Sequence, residues 1–199
     1  RIINLDNQKM ILTAKNRIQD FTSRGWWGND TLYSLFEDAL AECKDQEGLV
    51  DPENRFNITG DLPKRLTFHQ IHETVEKYAS IFYEYGLRRD DIVIVQLPNI
   101  VELPMIYLAL SKLGIICSPI PMQYGAYEIN SIISETDPKA FISIQTFNGT
   151  KHAEQFASVF VNNEIKFSLG SVNDFIDLHD FHPSEESFNV QQSYSKENK

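Results

Sequence analysis

DIVIVQLPNIVELPMIYLALSKLGIICSPIP, residues Asp91 to Pro121, decides the fold. From Leu103 to Tyr127 the only charged side chain is Lys112, although the whole 199-residue chain is acidic, with 18 Lys+Arg against 28 Asp+Glu. A membrane-spanning helix needs roughly 20 consecutive apolar residues. Here Pro104, Lys112, Gly114, Pro119 and Pro121 interrupt the run, and a proline inside a helix costs about 3 kcal/mol. The stretch therefore divides into parts. Asp91–Leu97 is β-branched and apolar, a buried strand. Asn99 followed by Glu102 has the spacing of a capping box, so a helix is expected over 100–113, with Pro104 in its first turn and Gly114 at its end. Leu108 is placed in the core, and Lys112 is expected to reach water along its aliphatic stem. Residues 115–121 form the next strand.

The same alternation runs outward. AYEINSIISET (126–136) sets Ile129, Ile132 and Ile133 on one helical face and stops at Pro138. Residues 139–144 read as a third strand, 151–160 as a helix and 165–170 as a fourth strand. Strand starts near 92, 115, 140 and 165 recur about every 24 residues, the period of successive β-α units with right-handed crossovers. Upstream, residues 31–44 predict a helix with an apolar stripe of Leu32, Leu35, Phe36, Ala39 and Leu40. Thr67 and Gln70 form a second capping box, opening a helix whose inner face is Ile71, Val75, Tyr78, Ala79 and Phe82 and which Gly86 closes. The expected fold class is α/β, a mostly parallel sheet flanked by helices. Residues 1–30 form an N-terminal extension packed on the core, 31–180 the α/β unit, and 181–199 a polar linker or disordered tail. Arg1 is not a natural start, and the expectation is a piece cut from a longer protein.

Charge and composition exclude several functions. A pI near 4.9 repels phosphate backbones, so no nucleic acid partner is expected. Cys43 and Cys117 make neither a disulfide framework nor a zinc site. Cys117, within the apolar run, reads as a small buried hydrophobe. Three Asn-x-Thr sequons, at Asn29, Asn57 and Asn148, carry no weight without a signal peptide. A reducing cytoplasm with no membrane span is the default.

Chemistry-bearing patterns are scarce. Of nine glycines, only Gly25 and Gly28 lie within five residues of each other, whereas a backbone nest for phosphates needs clustered glycine. His69 and His72 in HQIHE lack a third metal ligand, since Glu73 points elsewhere on the helix, and read as exposed helix histidines. Asp177, His179, Asp180 and His182 in DLHDFH have no standard metal spacing and read as a solvated loop. There is no Gly-x-Ser-x-Gly elbow. Trp26 and Trp27 are expected to form an aromatic lid anchoring the N-terminal segment to the core.

Several phrases, in order, resemble the N-terminal part of the acyl-adenylate-forming (AMP-binding) enzymes. RLTFHQI (65–71) is similar to a motif of the type Leu-Thr/Ser-Tyr-x-Glu-Leu, with Phe68 for Tyr and Gln70 for Glu. YGLRRDDIVIVQLPN (85–99) is similar to the family's segment ending Leu-Pro-Asn, with Asp90 in place of Gly. LALSKLGIICSPIP (108–121) and YEINSIISETDPKAFI (127–142) resemble the helix and strand pairs that follow. The opening from Arg24 to Asp51 looks most like CoA ligases of the cyclohexanecarboxylate and short-chain type.

The resemblance implies a parent enzyme that uses ATP and Mg²⁺ to turn a small carboxylic acid into an acyl-adenylate and hands it to coenzyme A. The partner of this chain would be the remaining C-terminal part of the same protein, opening with a Ser/Thr/Gly-rich phosphate loop within about 30 residues. The catalytic motifs would lie there, so no residue here is assigned a catalytic, cofactor-binding or metal-binding role, and the chain alone is expected to be inactive without cofactors of its own. Two rivals stand beside this: an aryl-acid AMP ligase delivering to a carrier protein, and a stand-alone binding or interaction domain without catalysis.

Overall fold

The computed structural model describes residues 13–160 and 164–197. In chain order its elements are α1 (Lys15–Ser23), α2 (Leu32–Cys43), β1 (Glu47–Val50), α3 (Arg55–Thr59), β2 (Arg65–Thr67), α4 (Phe68–Glu84), β3 (Ile92–Val95), α5 (Glu102–Lys112), β4 (Ile116–Pro119), α6 (Ala126–Thr136), β5 (Ala140–Ile144), β6 (Thr146–Phe147), β7 (Thr150–Lys151), β8 (Ile165–Leu169), β9 (Ile176–Asp177) and α7 (Glu185–Glu197). A five-stranded sheet runs in the order β4-β3-β5-β8-β9, parallel throughout, flanked by helices. The β-branched residues of β3 are buried on both faces. Val93 and Val95 join Ala140, Ile142 and Ile144 beneath α4 and α5. Ile94 and Phe141 face the other way, toward Ile129 of α6 and toward Phe156 and Phe160. Two-residue periodicity thus serves two helical layers at once.

The α4 stripe is buried as its spacing predicts, and Thr67 and Gln70 close a reciprocal capping box. At the other end of α5, Gly114 follows the last helical turn at φ +68°, and a Cβ there would lie 3.0 Å from Arg89 Cγ. Gly114→Ala is expected to cost about 1–2 kcal/mol from the left-handed backbone alone. Urea denaturation measures it, and a neutral result would contradict this conformation.

Several sequence expectations are corrected. The α2 stripe is rotated: Tyr33 and Phe36 are buried, while Leu32 and Leu35 are 53% and 55% exposed. Residues 151–160 are not an α-helix but β7 followed by one 3₁₀ turn over Ala153–Phe156. Asn148 and Gly149, at φ +48° and +74°, make the tight turn joining β6 to β7, the signature of a two-residue hairpin. Residues 185–197 of the polar tail form α7, whose Tyr194 ring lies tilted against Tyr83 with centroids 5.3 Å apart and whose hydroxyl accepts a hydrogen bond from the Arg89 amide. Trp26 and Trp27 do not cover the core: both are exposed and pack on Phe21 of α1, with ring centroids 5.5 and 5.1 Å apart.

Lys112 departs from its expected place as well. Its side chain is only 7% exposed and its amine lies 2.6 Å from Glu76, itself 6% exposed. It also donates to the Tyr33 hydroxyl, which in turn donates to Glu76. The lysine closes a buried cluster linking α2, α4 and α5 instead of reaching water. Among the described residues no helix is long and apolar enough to cross a membrane.

Candidate functional site

The chain leaves β3 through α5 to reach β4 on one side, then crosses back through α6 to β5 on the other. Beyond the carboxyl ends of β3 and β5 the connections diverge, the topological switch point where open α/β sheets leave a crevice for ligands. A crevice of about 370 Å³ lies there, lined by Ile58, Leu97, Pro98, Asn99, Met122, Gln123, Phe147 and Asn148. Four segments supply its walls: the end of α3, the β3–α5 loop, the β4–α6 loop and the β6–β7 hairpin. Among the described residues no charged side chain lines it. The polar side chains are the amides of Asn99, Gln123 and Asn148, so the walls suit an uncharged ligand with apolar and amide character.

Two polar clusters hold these walls. The first lies under the start of α5. Asn99 does not cap that helix, and Val101 at the N-cap has no side-chain capping bond of its own. Its amide donates instead to Asp51 Oδ1, 50 positions upstream, at 2.9 Å. Glu102 turns inward rather than back toward Asn99. It receives two parallel bonds from Arg55, Nη1 to Oε2 at 2.8 Å and Nη2 to Oε1 at 2.9 Å, and a third from Lys64 Nζ at 2.6 Å. Arg55 also donates to Asp51, whose carboxylate takes the Lys64 amide as well. Arg55, Asp51 and Glu102 are all buried. Burial by itself would raise the Glu102 pKa, but the bonds from Arg55 and Lys64 outweigh it and hold the carboxyl below its ordinary value. This cluster locks α3, and with it Ile58, to the root of α5, and it leaves the Asn99 side chain to the crevice.

The second cluster lies beneath the sheet edge. Gln96, the residue after β3, is fully buried. Its amide nitrogen donates to the carbonyls of Pro121 and Tyr124, each at 3.0 Å, and its oxygen lies 3.1 Å from His152 Nε2. The His152 ring stands edge-on between Phe147 and Phe156, at 5.6 and 5.3 Å. Burial lowers its pKa, so the ring is neutral at pH 7. The hairpin tip is tied down on its other side by the Asn148 amide, which donates to the Ile58 carbonyl at 2.8 Å.

The sites considered in the sequence fall elsewhere. His69 lies 3.8 Å from Glu73 and His72 lies 3.9 Å from Glu76, each pair on α4. DLHDFH is not a solvated loop throughout: Ile176 and Asp177 form β9, Leu178 is fully buried, and Asp177 accepts hydrogen bonds from the Gly170 and His179 amides. Among the described residues no group of three or more His, Cys, Asp or Glu could hold a metal ion. Among the described residues the crevice is lined by no cation and no glycine cluster, so these residues do not fit the triphosphate of ATP or its Mg²⁺. Cys43 and Cys117 are free, and burial pushes the Cys117 thiol up to about 12.

Comparison with known proteins agrees with this architecture. The profile of a family described as "AMP-binding enzyme" matches residues 36–196. The oxalate–CoA ligase of Arabidopsis thaliana is 27% identical over 131 residues, 65% of this chain and 23% of that protein. Pseudomonine synthase PmsE of Pseudomonas entomophila is 24% identical over 159 residues, 78% of this chain and 24% of its own length. Among solved structures, apo MbtA of Mycobacterium smegmatis superposes with a TM-score of 0.66 at 18% identity, over 85% of this chain and 30% of that one. The chain thus spans about a quarter of the length of these curated relatives.

Proposed function

The chain belongs to the AMP-binding enzyme family, and from that premise we propose that it is the N-terminal portion of an enzyme that activates a carboxylic acid as its acyl-adenylate and transfers the acyl group to coenzyme A. The observation that carries the reading is the family match over most of the chain, joined to relatives named CoA ligases. The acetyl-coenzyme A synthetase of Methanothrix thermoacetophila adds a stretch 30% identical over 84 residues, 42% of this chain and 13% of that protein. A carboxylate resists nucleophiles because attack must overcome its negative charge. Joining it to AMP supplies a good leaving group, so a thiol can then take the acyl group. ATP and Mg²⁺ would be held by the rest of the protein, in keeping with a crevice that offers them neither charge nor a backbone nest. The role of residues 1–199 in this reading is to scaffold the site and to bind an uncharged portion of one substrate at the sheet edge. Two free cysteines suit a reducing, cytoplasmic setting.

A second reading, an aryl-acid ligase that loads a carrier protein, is favoured by the longer match to pseudomonine synthase PmsE. One experiment separates the two. The enzyme containing this chain is mixed with ATP, a panel of carboxylic acids and CoA. AMP and acyl-CoA are the expected products. An adenylate that ignores CoA but loads a carrier domain selects the second reading, and no acid-dependent pyrophosphate release overturns both. Residues 1–199 alone should show no ATP–pyrophosphate exchange with any acid.

A further inference from the structure

We propose that Gln96 and His152 are positioning residues that set the width of the sheet-edge crevice, and through it the affinity for the substrate segment that enters. The inference rests on the functional reading above for the word substrate, and on geometry for the rest. A glutamine side chain has two N–H donors and one acceptor oxygen. Here both donors are taken by carbonyls of a single loop, Pro121 and Tyr124, which orients the amide without ambiguity. The oxygen must then face His152, so Nε2 of that ring carries the proton and donates. Each partner thus fixes the other.

Their reach covers three of the four walls. Gln96 immediately precedes Leu97, Pro98 and Asn99. The loop it grips carries Met122 and Gln123 between its two acceptor carbonyls. His152 stands edge-on to Phe147 at 5.6 Å, while its own amide donates to the Gln145 carbonyl at 2.8 Å and so folds the hairpin back on the sheet. Neither residue lines the crevice itself. They act on it through Met122 and Phe147, and a loop displaced by an ångström is enough to cost a ligand its fit.

Methionine methyls give a direct readout, because the chain has three methionines, Met10, Met105 and Met122. Met122 lines the crevice, and Met105 is buried on α5 as an internal control. With ¹³C-methyl methionine, His152→Phe is expected to move the Met122 resonance and leave Met105 in place. His152→Gln, which keeps a donor toward Gln96, should restore it. Should His152→Phe fail to fold, Gln96→Glu is the second probe: it keeps the acceptor for His152, loses both loop bonds, and should displace Met122 likewise. In the enzyme, His152→Phe should raise KM for one substrate, among acid, ATP and CoA measured in turn, by about tenfold with a much smaller change in kcat, and His152→Gln should recover most of it. A folded variant with an unmoved Met122, or with all three KM values unchanged, overturns the proposal. An unmodified enzyme without ligase activity would sink the functional reading alone, and the methyl shifts would still decide whether the pair positions the crevice.

Discussion

Arg55→Ala is expected to destabilise the chain by about 3–5 kcal/mol, the cost of leaving a buried carboxylate without its cation. The variant deprives Glu102 of both parallel bonds and Asp51 of one. Lys64 still reaches Glu102, but its side chain is 42% exposed, and a single ammonium cannot reproduce the guanidinium fork. Asp51 keeps the amides of Val101 and Lys64, so most of the loss should fall on Glu102. A double-mutant cycle with Glu102→Gln tests this: the pair should lose much less than the sum of the two single changes. The pH dependence has a definite sign. The folded Glu102 pKa lies below its ordinary value, so its contribution is full above the unfolded carboxylate pKa and is lost as pH falls through the folded one. Once Glu102 is protonated the uncompensated charge is gone, and the deficit of Arg55→Ala should shrink between neutral and acid pH. Urea midpoints at both pH values measure it. A deficit that stays constant would assign the loss to packing instead of charge.

The parallel sheet was legible in the sequence because each of its main signals is local. The run from Ile92 to Val95 needs only its own β-branched residues to declare a strand buried on both faces, and Thr67 with Gln70 declares a helix start within four positions. The polar clusters were not legible, because their members come from distant positions. Asp51, Arg55, Lys64 and Glu102 meet only after the helices pack. Seen locally, Glu102 three residues after Asn99 suggests a cap, and the folded chain uses a carboxylate from 50 positions away. Gln96 and His152 escaped for the same reason, since nothing near either residue indicates the other. The hairpin is different. Asn148-Gly149 between Phe147 and Thr150 is a strong local turn signal, and it argues for a hairpin rather than a helix in the residues that follow. The α2 stripe failed because Tyr33 is buried for its hydroxyl as well as its ring, and hydrophobic spacing does not register a tyrosine that bonds a carboxylate.

Lys112 carries that lesson to a measurable result. A single charge on an apolar helix is expected to reach solvent, where its removal costs little. The structure gives it a buried carboxylate at 2.6 Å, and places its amine 4.5 Å from the centre of the Tyr33 ring. Glu76 also accepts from Tyr33 at 2.9 Å, which leaves Lys112 as the one full positive charge bonded to that carboxylate among the described contacts. Lys112→Ala is therefore expected to cost about 3–5 kcal/mol, at least as much as Leu108→Ala in the adjoining core at about 2–5 kcal/mol. Lys112→Met, which keeps the aliphatic stem but not the charge, should recover little if the ion pair is responsible and nearly everything if packing is. Tyr33→Phe removes two hydrogen bonds to charged groups, one donated to Glu76 and one accepted from Lys112, and should lose at least about 1.5–3 kcal/mol. Replacing Glu76 and Lys112 together with Gln and Met leaves no stranded charge, so the double variant should be more stable than Lys112→Ala alone. Denaturant unfolding of the five variants decides the matter. A loss below about 1 kcal/mol for Lys112→Ala, the value typical of an exposed pair, would return the lysine to solvent and break the link between α2, α4 and α5.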